Sequence, residues 1–164
     1  MKVGILTVSD KGAKGEREDR SGPAARETVE AAGGEVVRYE IVPDDQAAIR
    51  AVLVEWSDAG LDLILTSGGT GFSPRDWTPE ATKAVIERET PGLAEAMRAA
   101  GMKATPTAML SRAVAGIRRS TLIVNLPGSE RAVRESLAAI LPALPHGIEI
   151  LKGTAAECGK PKRG

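Results

Sequence analysis

The chain alternates short apolar runs with apolar stripes of helical period. Residues 2 to 9 are apolar nearly throughout and read as a first strand, while Leu63, Ile64 and Leu65 form a run typical of strands covered on both faces. Between them, Ala25, Val29 and Ala32 recur at i, i+4 and i+7. They predict a helix capped by Ser21 or Gly22, with Pro23 in its first turn and Gly33-Gly34 at its end. A second strand runs roughly from Glu35 to Val42 and stops at Pro43. Asp44 or Asp45 then caps a helix that places Ile49, Val52, Leu53 and Trp56 on one face and ends at Gly60, before a third strand from Leu61 to Thr66. The charged segment from Asp10 to Ser21 has no apolar period and is expected to be a mobile surface loop.

Thr78-Pro79 and Thr90-Pro91 each pair a capping hydroxyl with proline at the first helical position, which predicts helices over 79–88 and 91–101. Ala113 to Gly116 and Leu122 to Leu126 are expected strands, the latter buried. After Pro127-Gly128-Ser129, Val133, Leu137, Ile140 and Leu141 mark the inner face of another helix, and Pro142 and Pro145 break it before a short final helix. Residues 1 to 152 thus form one domain and residues 153 to 164 a frayed tail. Strand, helix, strand, helix, strand at this spacing implies an α/β, three-layer fold: a mostly parallel sheet with helices on both faces. Ligands bind such sheets beyond the carboxyl ends of the strands, where Ser9-Asp10, Pro43-Asp44 and Ser67 to Gly71 all fall.

Composition narrows the possibilities. The 164 residues suit a single domain, and 22 basic against 22 acidic residues leave no global field to draw in nucleic acid or an anionic membrane. With 2% aromatic residues the core must be aliphatic, and stacking platforms for single strands are absent. The lone cysteine, Cys158, excludes an internal disulfide and a Cys-based zinc site, which fits a reducing cytoplasm. The apolar start reaches Ser9-Asp10 too soon for a signal peptide, and no run approaches the ~18 apolar residues of a membrane span. No serine or cysteine stands at a recognisable couple spacing from His146, which is read as structural, so triad hydrolysis is not indicated.

The chemistry concentrates after the third strand. Ser67, Gly68, Gly69, Thr70 and Gly71 make a turn of small residues whose amides could take phosphate oxygens, although tight turns without ligands are about as common after strands. Neither a Walker loop nor a GxGxxG pattern follows. Asp76 stands a few residues on, where a magnesium ion bridging phosphates would need an oxygen ligand. Asp44 could supply another, a helix cap being its plainer role. Arg75 and Arg112 are candidate phosphate clamps, with a solvated surface arginine as the alternative. Trp77 is expected to pack, or to cover a planar ligand.

Taken in order, Ser67-Gly-Gly-Thr-Gly71, Arg75-Asp-Trp-Thr-Pro-Glu-Ala-Thr82, Pro91-Gly-Leu-Ala-Glu-Ala-Met97, Leu110-Ser-Arg112 and Asn125-Leu-Pro-Gly128 resemble the MogA/MoaB-type molybdopterin-binding proteins of molybdenum cofactor synthesis, relatives of the Cnx and gephyrin G domains. The resemblance runs from Val8-Ser-Asp10 through the helix after Ser129. It implies a homotrimer that adenylylates molybdopterin with Mg²⁺ and ATP, with hand-over to a molybdate-inserting protein. Its catalytic aspartates fall on Asp44 and Asp76, which would also hold the magnesium. Its pterin-phosphate pocket falls on Ser67 to Gly71 with Ser111, Arg112, Pro127 and Gly128, and Ser9, Asp10 and Arg75 lie on the nucleotide side. Departures stand at Trp77, where a small aliphatic residue is frequent, and at the variable Phe72-Ser73-Pro74. A non-catalytic molybdopterin carrier of the same fold is the alternative; molybdate insertion, performed by larger chains, is a third.

Overall fold

The computed structural model describes residues 1 to 154, so Cys158 and the expected tail from residue 155 onward lie outside the described residues. Four strands, β1 (Lys2–Val8), β2 (Glu35–Val42), β3 (Leu63–Ser67) and β6 (Thr121–Leu126), run parallel, and β5 (Ala115–Arg118) and β4 (Arg88–Glu89) extend the sheet antiparallel in the order β2-β1-β3-β6-β5-β4. The expected α/β class and mostly parallel sheet are thus observed.

Side chains on successive strand residues point to opposite faces, and the core divides accordingly. Ile5, Leu63, Leu65 and Val124 pack under α2 (Ser21–Ala31), α5 (Pro91–Met102), α6 (Glu130–Ile140) and α7 (Leu144–Leu151). Leu6, Ile64 and Ile123 pack under α3 (Gln46–Asp58) and α4 (Thr78–Lys83). The β3 residues Leu63, Ile64 and Leu65 are 0% exposed, each worth ~1.5–3 kcal/mol of apolar transfer. By contrast β2 is largely exposed, because it is an edge strand with one neighbour. Among the described residues no helix is long and apolar enough to cross a membrane.

Several local expectations are corrected. The charged segment after β1 is not all loop: Ser9 accepts the Gly12 N–H at 3.0 Å and caps a short helix, α1 (Asp10–Ala13). Neither Ser21 nor Gly22 caps α2. Asp19 does so, accepting from the Ser21 hydroxyl (2.9 Å) and the Gly22 N–H (3.0 Å). Ala32 lies past the end of α2 and is exposed. The helix expected over 79–88 stops at Lys83, because Arg88–Glu89 pairs with Ile117 and Gly116 as β4. That pairing also moves β5 two residues beyond its expected span of 113–116. Neither Thr78 nor Thr90 caps by its side chain, and both hydroxyls are buried with no hydrogen-bond partner among the described residues. Pro145 does not break a helix but lies in the first turn of α7.

Candidate active site

The carboxyl ends of all four parallel strands meet at one edge. Connections leave β1 toward β2 on one side and reach β3 on the other, so the chain's direction of winding reverses between β1 and β3, the position where open α/β sheets form a crevice. The glycine turn fills that position. The Ser67 hydroxyl donates to Pro127 O at 2.9 Å and Gly68 N–H to Leu126 O at 3.3 Å, stitching the ends of β3 and β6 together. Gly68 and Gly69 have φ of 98° and 65°, a region that other L residues avoid. A Cβ on Gly68 would fall on the carbonyl oxygen of Val8, and one on Gly69 on the Thr78 hydroxyl, 3.2 Å from Asp44 Oδ1.

Asp44 and Asp45 divide the two roles open to them. Asp45 caps α3 by accepting Ala48 N–H at 2.8 Å, which leaves the Asp44 carboxylate to face the site. Asp44 is held by a reciprocal pair: its Oδ2 accepts Asp10 N–H at 2.8 Å, and Asp10 Oδ1 accepts Asp44 N–H at 3.0 Å. Arg75 forks onto Asp10, Nε to Oδ2 at 3.0 Å and Nη2 to Oδ1 at 2.9 Å, and keeps that carboxyl below its ordinary range. Asp76 Oδ2 accepts Ser73 N–H at 3.0 Å.

Burial, reinforced by the charges of Asp10 and Asp76, pushes the Asp44 carboxyl above its ordinary value, against the opposing hydrogen bond from Asp10 N–H. A carboxyl raised on folding stabilises the folded state below the unfolded pKa and loses that contribution as pH rises through the folded pKa. Asp44→Asn, which keeps the acceptor for Asp10 N–H, is therefore expected to melt at a higher temperature than the wild type at pH 7, with the gap closing as the pH falls through the raised value. Parallel thermal melts of the ligand-free proteins measure it.

Arg112 departs from the clamp expected of it. Its Nε donates to Gly71 O and its Nη2 to Asp76 O, each at 2.7 Å, and Nη1 pairs with Glu80. It braces the glycine turn from behind. Arg75 is likewise engaged, on Asp10. Ser111 lies beside the turn, since the next residue, Arg112, donates its N–H to Thr70 O at 2.8 Å. Trp77 is 43% exposed at the start of α4.

Two cavities flank the turn. One, of about 1090 Å³, is lined by Ser9, Asp44, Ser67, Gly68 and charged residues of α6; the other, of about 460 Å³, by Thr70, Gly71, Arg98, Ser111 and Pro127. Gly69, Asp76, Gly128, Ser129 and Glu135 border both. The expected site residues therefore gather at one place, with Asp76 on the dividing wall.

Three residues here have roles that sequence reasoning did not assign. Asp19, in the expected loop, takes the hydroxyls of Thr7 (2.6 Å), Ser21 and Tyr39 and the Gly22 N–H at the floor of the larger cavity. Burial alone would raise its carboxyl, but the combined donors from Gly22, Thr7, Tyr39 and Ser21 lower it. A lowered carboxyl contributes stability above its unfolded pKa and loses it as pH falls through the folded value. Asp19→Ala should accordingly cost ~2–4 kcal/mol in urea titrations at pH 7, and distinctly less in titrations acidic enough to protonate Asp19 in the wild type. Asn125, buried, donates to the hydroxyls of Thr66 (2.9 Å) and Thr82 (2.8 Å), tying β6 to β3 and α4. Arg98 on α5 reaches the smaller cavity, and only the Asp19-Arg-Ser-Gly22 turn offered a local signal in advance, an aspartate three residues before a helical N–H.

A glycine turn flanked by two cavities at the switch point of a mostly parallel sheet is the arrangement of α/β domains that take ligands beyond the carboxyl ends of their strands, and the chain belongs to the molybdopterin-binding domain family: the family model described as probable molybdopterin binding domain matches residues 4–146. The molybdopterin adenylyltransferase of Helicobacter pylori strain J99 is 43% identical over 154 residues, 92% of this chain and 88% of that protein. Gephyrin of Dictyostelium discoideum is 43% identical over 159 residues, but the chain spans only 22% of its length. The crystal structure of the molybdopterin biosynthesis enzyme MoaB of Thermus thermophilus superposes with a TM-score of 0.88 at 57% identity, covering 93% of this chain and 96% of that one.

Proposed function

We propose that this chain adenylylates molybdopterin in molybdenum cofactor synthesis. The observation that carries the proposal is the shared wall: two cavities of different size and polarity meet at Gly69, Asp76 and Gly128, as a transfer between two bound substrates requires. The smaller, more apolar cavity takes the pterin, with its phosphate on the amides of the glycine turn. The larger, charged cavity takes ATP. The pterin phosphate oxygen attacks the α-phosphorus of ATP in line; the new P–O–P bond forms as the bond to pyrophosphate breaks. The protein contributes chiefly position and electrostatics, so the reaction needs no catalytic histidine.

Magnesium fits Asp44 and Asp76. Asp44 is a partly buried carboxylate crowded by two others, a point of unfavourable negative charge that a cation relieves. Among the described residues no group of three or more His, Cys, Asp or Glu side chains is placed to hold a metal, and a magnesium site of two carboxylates completed by phosphate oxygens has the usual composition. When bound, the ion neutralises charge on the departing pyrophosphate. Asp10 with Arg75 sets the position of Asp44 from the nucleotide side.

A homotrimer, hand-over to a molybdate-inserting protein and residence in the cytoplasm belong to the same reading; sedimentation mass tests the first. For the reaction, incubation with molybdopterin, Mg²⁺ and α-labelled ATP should yield labelled pterin and pyrophosphate in equal amounts. Tight pterin binding without labelled product would instead establish a carrier.

A further inference from the structure

Within the adenylylation reading, the smaller cavity holds one unused determinant. Among the described residues that line it, Arg98 is the one cation, set against the carboxylates of Asp76 and Glu135. Its Nη1 donates to Ser111 O (3.3 Å) and Ala113 O (3.0 Å), which fixes the half-buried guanidinium against the wall. Among the described residues its Nε and Nη2 donors meet no protein acceptor. Arg112 differs: all three of its nitrogens are committed to Gly71, Asp76 and Glu80. One arginine is thus spent on the loop, and the other lines the cavity with two of its donor nitrogens uncommitted among the described residues.

The location of that edge narrows its ligand. Arg112 N–H bonds Thr70 O at 2.8 Å, so the Ser111 backbone that anchors Arg98 runs alongside the glycine turn. A ligand whose phosphate rests on the turn reaches Arg98 with the group next to its phosphomethyl arm. In molybdopterin that group is the ene-dithiolate, a pair of sulfurs that are nucleophilic and negatively charged when deprotonated. A guanidinium fork suits two adjacent anionic acceptors, and a neighbouring arginine favours the thiolate over the thiol. The geometry points to Arg98 as the residue that binds the ene-dithiolate, and so as a determinant of specificity for the sulfur-bearing pterin over other phosphorylated pterins. The amides of the turn select only phosphate; Arg98 selects what is attached to it.

The test titrates two ligands into each of three proteins by fluorescence: molybdopterin, and molybdopterin with both sulfurs capped as neutral carboxamidomethyl thioethers. The wild type should prefer the uncapped ligand by roughly thirtyfold, the worth of a charge-assisted fork. In Arg98→Gln the preference should fall by about that factor relative to the wild type, and in Arg98→Lys by an intermediate one. A general loosening of the cavity cancels within each ratio, and the bulk of the caps cancels when the ratios of variant and wild type are compared. A preference unchanged from the wild type in either variant overturns the assignment. If Arg98→Gln binds neither ligand, the lysine variant decides by the same criterion. Wild-type protein that binds no molybdopterin would sink the adenylylation reading itself, whereas binding with unaltered ratios sinks the Arg98 assignment alone.

Discussion

Asp76→Asn should bind molybdopterin as the wild type does and lose at least about a hundredfold in kcat for adenylylation, the scale expected when a charge that stabilises a transition state is removed from a preorganised site. Asparagine keeps an oxygen to accept Ser73 N–H, which Asp76 Oδ2 now does at 3.0 Å, and Arg112 binds the main-chain carbonyl of Asp76 rather than its carboxylate. The turn should therefore hold its shape. What the substitution removes is one negative charge on the wall between the cavities, where the proposed transfer would take place. Single-turnover labelling alongside pterin titration separates the two quantities. Tight binding with unchanged turnover would refute the magnesium role of Asp76.

Gly68→Ala is expected to cost roughly 3–5 kcal/mol, from a positive φ imposed on a residue with Cβ and from overpacking against backbone. At φ 98° the new methyl would fall on the Val8 carbonyl, which β1 holds rigidly between β2 and β3 and which cannot rotate away as a side chain could. A loss of that size takes a large share of the ~5–15 kcal/mol typical of whole domains, so a drop in Tm on the order of 10 °C should follow. Gly92→Ala is the matched control: nothing lies within 4 Å of its Cβ position in the first turn of α5, and the better helix former should leave Tm equal or slightly raised. Equal melting of the two variants would show that the turn lacks the strain assigned to it.

The two predictions depend on different kinds of information. Gly68 and Gly69 stood out in the sequence as small residues after an apolar run, but which of them faces backbone and which faces Thr78 and Asp44 follows only from how β1 and α4 pack on the turn. Likewise the choice between Asp44 and Asp45 was open on spacing alone. Local geometry closed it, because the residue immediately before α3 takes the cap and its neighbour is turned toward Asp10. The two arginines were legible as cations near phosphate, yet their partners lie 65 positions away for Arg75 and up to 41 for Arg112. No local pattern encodes those pairings.

The class of fold, the order of the strands up to β3 with the two longer helices between them, the glycine turn and, through several separated motifs in the right order, the family were all legible in the residues before any packing was known. These are local or periodic properties: apolar alternation, capping chemistry and the conformational freedom of glycine act over a few residues and survive without knowledge of the rest. It took the folded chain to establish that the helix expected over 79–88 gives way to an edge strand at Arg88–Glu89, that Asp19 rather than Ser21 secures α2, that Arg112 supports the turn, and that Arg98 lines the smaller cavity. Apart from the Asp19 cap, which is local, each of those depends on a partner well along the chain that only packing brings into contact.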